Sequence, residues 1–523
     1  FIYKEVLRRF KMKKKNIFVL ALTAALGLSS CDMDKDPYTS YPMDKYMVNV
    51  QQFVDARQGL YDPFRTMTTG AATLAPEFMT ELFMPMVFFS NTYGDMSSWN
   101  IEEANGTIET IWSNYYTMIA RANYIIDSYE RAKEGRGEFT EEELQKVAVI
   151  IGEAYFVRAY SYFNMALLYC DVYDKNQAET QMGLPLQLKY EPSQYAEKYP
   201  GRSTLAATYK QILEDLTSAK SMITSEKSLN YISQHTLQAF EARVALHMKE
   251  YGKAAELSAA LIGTGKYPLV KSSEALNNLW LYDEGSEIIW QIYQAVPDEV
   301  GGSLGLPFHG QYLGASGYPY AAQRPDFHPT TALLELYGDG DMRAGVYFRQ
   351  YTLDQWGVPN MFIYTFNKFP GNPLLQKSGL STNNWYTNIS EPFMIAEQYL
   401  IAAEAYLEDG NAPEAAKYLN ALRSSRIQGY VDETFSDTGD LRQAIRDERT
   451  KELVGEGFHF YDLKRWKLGF NRSDTEQVTG VQSTVSYFSK LEIEAGDYRF
   501  TWPIPKAEID ANPQLKDEQN PGY

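Results

Sequence analysis

Two long segments of the chain repeat apolar residues at intervals of three and four positions, as the buried face of an amphipathic helix requires. The first is TIETIWSNYYTMIARANYIIDSYERA, whose apolar stripe includes Ile108, Ile111, Tyr115, Ile119 and Tyr124. The second, EEELQKVAVIIGEAYFVRAYSYFNMALLYCDVY, begins after Thr140 and has Glu143 at the capping-box position. Both segments are predicted to be long helices.

A weak internal repeat suggests how further helices are arranged. ARVALHMKEYGKAAELSAALI, from Ala242, aligns with AEAYLEDGNAPEAAKYLNALR, from Ala403. Each copy predicts a helix, a short turn and a second helix, with alanines where the paired helices meet, as in tetratricopeptide repeats. Tyr155–Tyr169 and Tyr209–Ile223 could supply further helices of this kind. We therefore predict a mainly α fold with degenerate tetratricopeptide-type helix pairs over about 105–262 and 391–427.

The stretch of about 263–390 breaks this pattern. It is rich in Gly, Pro, Asn and aromatic residues and shows few helical stretches. Irregular segments on a rigid scaffold are where binding usually resides, so we expect this loop-rich insertion to hold a ligand site. The C-terminal part, 445–523, contains compact framework motifs, and 41–523 is expected to form a single domain.

The N-terminal segment has the pattern of an export signal. MKKKNIFVLALTAALGLSSC, from Met12, places lysines before a short apolar run that ends in small residues and Cys31. Residues 1–30 are therefore predicted to be a signal peptide, with 1–11 the product of a start codon assigned too early. The ending Leu28–Cys31 looks like a bacterial lipobox, which predicts that Cys31 carries lipid and that 31–40 form a tether. A soluble secreted protein is the alternative.

The net charge of the chain narrows the range of functions that we expect. The chain has a formal net charge of −18, and the 30 residues before Cys31 carry seven Lys or Arg and one Glu, so the part from Cys31 onward carries −24. Nucleic acid is excluded as an expected partner because phosphate binding needs a basic surface. The only other cysteine, Cys170, lies at the apolar end of a predicted helix and is expected to be a buried, inert thiol.

No motif with enzyme chemistry stands out. The chain contains no GxSxG, Walker A or HExxH sequence, and its five histidines form no close pair. The carboxylate pair of a glycoside hydrolase cannot be recognised among 67 acidic residues, because the sequence does not give the distance between two carboxylates. We expect no catalytic residue, no metal and no cofactor, and keep a lipid-anchored hydrolase as a less favoured alternative.

A charged motif near the C-terminus, IRDERTKELVGEGFHFYDLKRW, combines Glu448, Arg449, Glu452, Asp462 and Arg465 at helical spacing. Such a cluster could be an active site, but a structural ion-pair network is the favoured interpretation.

Taken in order, the motifs of the chain resemble the SusD/RagB family of outer-membrane nutrient-binding lipoproteins. They are the lipobox, ARAN at 120–123, VRAYSYF at 157–163, GLPL at 183–186, the second repeat copy, ERTKELVGEGFHFYDLKRW, and the ending WPIP…EIDANPQL…QNPGY. His459 stands where Arg is common in the family. The resemblance implies a SusD-like fold on the cell exterior, anchored by lipid to the outer membrane. It also implies a SusC-like TonB-dependent transporter as partner and a glycan ligand, with peptide as the alternative cargo.

Sugars stack their C–H faces on aromatic rings and hydrogen-bond through hydroxyls, so a glycan site needs exposed aromatic and amide side chains. Two regions outside helical periodicity offer them: NTYGDMSSWN and the insertion. The predicted ligand-binding residues are Tyr93, Trp99, Asn100, Tyr312, Tyr318, Tyr320, Trp356, Asn384, Trp385 and Tyr386. Trp112, Trp290, Trp466 and Trp502 are expected to be core residues instead.

Overall fold

The structure, a computed structural model, describes residues 47–86, 91–191, 198–292, 304–309, 325–355, 358–375, 386–473 and 490–523. Within them the chain is mainly helical, as predicted. The helices are α1 Val50–Thr68, α2 Ala71–Phe78, α3 Gly94–Ser97, α4 Gly106–Lys133, α5 Glu141–Tyr169, α6 Leu205–Met222, α7 Gln234–His247, α8 Tyr251–Gly263, α9 Ser273–Tyr282, α10 Leu306–His309, α11 Thr331–Glu335, α12 Met342–Tyr347, α13 Ile395–Glu408, α14 Ala412–Arg426, α15 Thr438–Leu453, α16 His459–Trp466 and α17 Lys506–Ala511.

In the described ranges most strands have two to four residues, and they pair two by two in antiparallel orientation. They are β1 Phe83–Pro85 with β5 Phe327–Pro329, β2 Met182–Pro185 with β3 Arg202–Thr204, β4 Ile288–Trp290 with β8 Phe393–Met394, β6 Phe348–Gln355 with β7 Val358–Phe366, and β9 Phe470–Ser473 with β10 Lys490–Ile493.

The two long predicted helices form the centre of the molecule. Helices α4 and α5 pack against each other and against α1, and α5 also packs along α6. The predicted capping box at Thr140 is present, since the Thr140 hydroxyl accepts from the Glu143 backbone while the Glu143 carboxylate accepts from the Thr140 N–H at 2.9 Å. Helix α5 is buried over most of its second half because neighbours cover it on several sides. Cys170, directly after it, is buried as predicted.

The repeat corresponds to two helical hairpins, α7–α8 and α13–α14. Ala242 and Ala403 are fully buried, and so are the matched Ala254 and Ala415. Helix α13 packs against both α8 and α14, so the two hairpins lie side by side. Small side chains at these contacts allow the close helix approach that the repeat predicts.

The insertion contains more regular structure than its composition suggests. It includes α9 to α12 and the β6–β7 hairpin, and its apolar residues build a second core with Phe78, Phe83 and Val454. This second core lies against the helical scaffold and carries the ends of the loops in which ligand contacts are predicted.

Candidate functional site

Four of the predicted ligand-binding residues lie in the part of the chain that the structure describes: Tyr93, Trp99, Asn100 and Tyr386. The other six lie outside the described residues: Tyr312, Tyr318, Tyr320, Trp356, Asn384 and Trp385.

The prediction that Trp99 offers an exposed ring is wrong. Its side chain is only 2% exposed, its indole N–H donates to the Met79 carbonyl at 2.6 Å, and its ring meets the edge of Phe500 at 4.9 Å. The short helix α3 turns Met96 and Trp99 inward together, so a stretch that reads as a polar loop buries its largest side chain. Asn100, the next residue, is exposed.

The two tyrosines occupy different environments. Tyr93 is half-buried, adopts a left-handed backbone at φ 55° and packs against Phe78 at 5.8 Å between ring centroids. Tyr386 is 8% exposed and stacks on His309 at 4.4 Å with the ring planes 11° apart. Tyr386 was predicted to bind ligand, but His309 covers one face of its ring and little of the side chain is exposed, so the ring is not an open stacking surface.

Backbone hydrogen bonds join residues near the ends of four described ranges. The Met86 N–H donates to Asp326 O at 2.8 Å, and the Asp326 N–H donates to Pro307 O at 2.8 Å. The Gly305 N–H donates to Tyr386 O at 3.3 Å. We call this set, Met86, Gly305, Pro307, Asp326 and Tyr386, the loop junction. The segments 87–90, 310–324 and 376–385, which hold five of the six predicted residues outside the description, all adjoin it.

A cavity of about 90 Å³ lies where the helical scaffold meets the second core. From the scaffold it is lined by Tyr115, Tyr160, Asn164, Arg243 and Tyr461, and from the other side by Trp280, Phe369 and Glu391, with Glu456 and Phe458 between them. We call it the central cavity. It combines aromatic rings with tyrosine hydroxyls, an amide and carboxylates, which are the groups that recognise small polar ligands.

The glycines of the GEG motif shape one wall of this cavity. Gly455 and Gly457 have φ values of 82° and 80°, which favour glycine, and their N–H groups donate to the Glu77 carboxylate at 2.8 and 2.9 Å. A Cβ on Gly457 would lie 2.7 Å from Thr73 O. Burial raises the pKa of Glu77 to about 7. This turn places Glu456 and Phe458 on the cavity wall.

Most charges around the cavity are paired. Arg243 donates to both oxygens of Glu397, at 2.7 and 2.6 Å, and Lys368 binds Glu456 at 2.6 Å and the Glu452 carbonyl at 2.7 Å. Glu391 differs, since both its oxygens are buried and neither accepts a hydrogen bond from a described residue. Burial, helped by the nearby Asp283, raises the pKa of Glu391 well above its ordinary value.

The charged C-terminal motif forms the expected ion-pair network. Arg449 binds Asp462 at 2.7 Å, and Arg465 bridges Asp462 and Glu404. Glu448 and Glu452 pair with Arg343 at 2.6 and 2.8 Å. All these groups are almost fully buried and join α12, α13, α15 and α16, which confirms the packing role. Distant segments contribute further partners that the motif did not predict: Glu287, Arg343, Arg423 and Arg426.

The described residues contain no cluster of His, Cys, Asp or Glu arranged to hold a metal ion. Over the same ranges, no helix is both long enough and apolar enough to span a membrane.

Comparison with known proteins identifies the family. The model of the SusD family matches residues 314–523, and a second model, described as starch-binding associating with outer membrane, matches residues 33–246. This chain belongs to the SusD/RagB family. It is 22% identical to SusD-like protein P38 of Formosa agariphila, over 98% of this chain and all of that one.

Solved structures share the fold of this SusD/RagB protein. A SusD superfamily protein of Bacteroides thetaiotaomicron is 25% identical, with a TM-score of 0.73 over 91% of this chain and all of that one. Surface glycan-binding protein A of Bacteroides uniformis is 18% identical, with a TM-score of 0.67 over 90% of this chain and 99% of that one. The resemblance seen in the sequence motifs is therefore confirmed.

Proposed function

We propose that this protein is a lipid-anchored outer-membrane protein that binds nutrient glycan on the cell exterior and delivers it to a TonB-dependent transporter. The observation that carries the proposal is the match of SusD-family models to both halves of the chain. The names of its relatives add support, because one with the same fold is a surface glycan-binding protein. The protein has no expected catalytic role.

The glycan site is proposed at the loop junction. Tyr93 lies next to it, because Phe78 packs against both Tyr93 and Phe308 of α10. Asn100 is exposed and lies shortly after α3, the short helix that begins directly after Tyr93. The proposed contacts are Tyr93, Asn100, Tyr312, Tyr318, Tyr320, Trp356, Asn384 and Trp385. Trp99 and Tyr386 are left out of the proposed contacts because their side chains are buried.

A panel of immobilised glycans and peptides tests the binding function. We expect the purified protein to be retained by at least one glycan and by no peptide. Trp356→Ala and Trp385→Ala should weaken retention several-fold, since a stacked ring contributes ~0.5–1.5 kcal/mol beyond its buried area. Tyr498→Ala, at an aromatic residue 48% exposed outside the proposed site, is the control. Retention by peptides alone would replace glycan with peptide as cargo.

The transporter is proposed to dock on the helical hairpins, because repeated helices present broad continuous surfaces suited to protein contacts. Pull-down in mild detergent from cells grown on the inducing nutrient should recover an outer-membrane barrel protein. Repeated recovery of the chain without such a partner would contradict delivery but leave glycan binding standing.

A further inference from the structure

The Glu391 side chain is an anomaly in the central cavity. The residue is 9% exposed, and both carboxylate oxygens are buried without a hydrogen-bond donor among the described residues. A buried polar group without a partner destabilises the fold, and more so when it is charged. Native proteins satisfy most such groups, so a buried carboxyl without a donor among the described residues is a candidate for pairing with a bound ligand.

Two described cations lie near Glu391: Arg243 lines the cavity and Lys368 acts on Glu391 electrostatically, and both have other partners. The guanidinium of Arg243 is held by both oxygens of Glu397, and the ammonium of Lys368 is held by Glu456 and by the carbonyls of Glu452 and Val454. The groups that face Glu391 electrostatically are Asp283, Glu287, Glu456 and Lys368, so acids outnumber bases around it. Among the described residues, Glu391 is therefore a carboxyl group that no cation pairs with.

The rest of the lining suits a small cation. Trp280 and Phe458 already hold cations of the chain, with Lys368 at 4.4 Å from the Trp280 ring centroid and Arg243 at 4.9 Å from the Phe458 centroid. Phe369 contributes a further aromatic ring, and the faces of such rings attract ammonium groups. The cavity, at about 90 Å³, is smaller than the roughly 150 Å³ that encloses benzene, so it fits a head group better than a whole sugar ring. Asn164, Phe458 and Tyr461 are half-buried at its rim, where the remainder of a ligand can emerge.

We propose that the central cavity binds the primary ammonium group of an amino sugar, with Glu391 as its counter-ion. The inference rests on the proposed glycan-binding function and names a class of sugar that the protein takes. The hydroxyls of Tyr160 and Tyr461 and the amide of Asn164 provide hydrogen-bonding groups for the sugar hydroxyls.

Calorimetry with three small probes tests this directly: glucosamine, N-acetylglucosamine and glucose. We expect glucosamine to bind at least ten-fold more tightly than the two neutral sugars. Glu391→Gln keeps the shape but removes the charge, and should lower glucosamine affinity by ten-fold or more without changing the neutral sugars. Glu256→Gln, at an exposed carboxylate on α8, is the matched control and should leave every affinity unchanged.

The pH dependence gives a second readout. Because the pKa of Glu391 is raised in the free protein, binding of an ammonium group must release a proton from the carboxyl. Glucosamine affinity should therefore rise with pH until the amine itself loses its proton, and Glu391→Gln should remove this rise.

Equal glucosamine affinity for the wild type and folded Glu391→Gln would overturn the proposal. So would tighter binding of a tripeptide with a free N-terminus than of glucosamine, since the ammonium source would then be a peptide. A melting curve confirms that the variant is folded. If the protein is still retained by a neutral glycan in the panel, these failures leave the proposed function standing.

Discussion

At the scale of single residues, the buried arginines of the C-terminal network are the strongest determinants of stability. The Arg343 side chain is fully buried and binds Asp341, Glu448 and Glu452. Arg343→Ala strands these carboxylates, and breaking a buried ion pair in this way costs about 3–5 kcal/mol. Chemical denaturation should show that loss, whereas Arg136→Ala, at an exposed position, should change the free energy of unfolding by less than about 0.5 kcal/mol. An unchanged midpoint for Arg343→Ala would contradict the network.

The same network predicts how stability depends on pH. Burial opposes ionisation of Glu452, but Arg426 and Arg343 outweigh it and lower the pKa to about 2 from its ordinary 4.5. A carboxylate with a depressed folded-state pKa stabilises the fold above its unfolded pKa and loses this contribution as pH falls. The free energy of unfolding should therefore drop between about pH 4.5 and 2. In Glu452→Gln, the free energy of unfolding should fall less steeply with decreasing pH over this range. If it falls as steeply as in the wild type, other groups cause the acid sensitivity.

At the scale of elements, the start of α5 provides a clean test. The Thr140–Glu143 capping box is exposed, so its contribution is local. Thr140→Ala should lower the free energy of unfolding by about 1 kcal/mol, because N-cap hydroxyls satisfy otherwise unpaired N–H groups. Thr140→Ser, which keeps the hydroxyl, should be close to wild type. Equal losses for Ala and Ser would show that the box does not hold the helix end.

The elements also show where the sequence was sufficient. Helices α4 and α5 and both hairpins were predictable because their apolar residues recur at helical spacing and their caps are local. The insertion was less predictable, since its β6–β7 hairpin and short helices are held by contacts with the second core rather than by their own pattern. The prediction of an exposed Trp99 was wrong for the same reason, because two residues that bury it, Met79 and Phe500, are remote in sequence.

At the scale of the whole molecule, the central cavity could not be predicted at all. Asn164, Arg243, Glu391 and Phe458 come from four separate segments, and only folding brings them together. The family, in contrast, was predictable because it depends on the order of motifs along the chain and needs no geometry. The proposed glycan contacts in the loops remain a prediction.

The lipid anchor is also a property of the whole molecule. We predict that Cys31 is acylated, so Cys31→Ala should move the protein from the membrane fraction to the soluble fraction in cells lacking the partner transporter. Cys170→Ala, at the other cysteine, should leave fractionation unchanged. A Cys31→Ala protein that stays in the membrane fraction would contradict the lipobox interpretation.

We propose that the protein captures a glycan without altering it. To test this, the purified protein is incubated for hours with the glycan that retains it. The bound fraction of the glycan and the concentration of new reducing ends are measured over this time. We expect saturable binding at constant reducing-end concentration. Reducing ends that accumulate in proportion to protein concentration would show a hydrolase and contradict it.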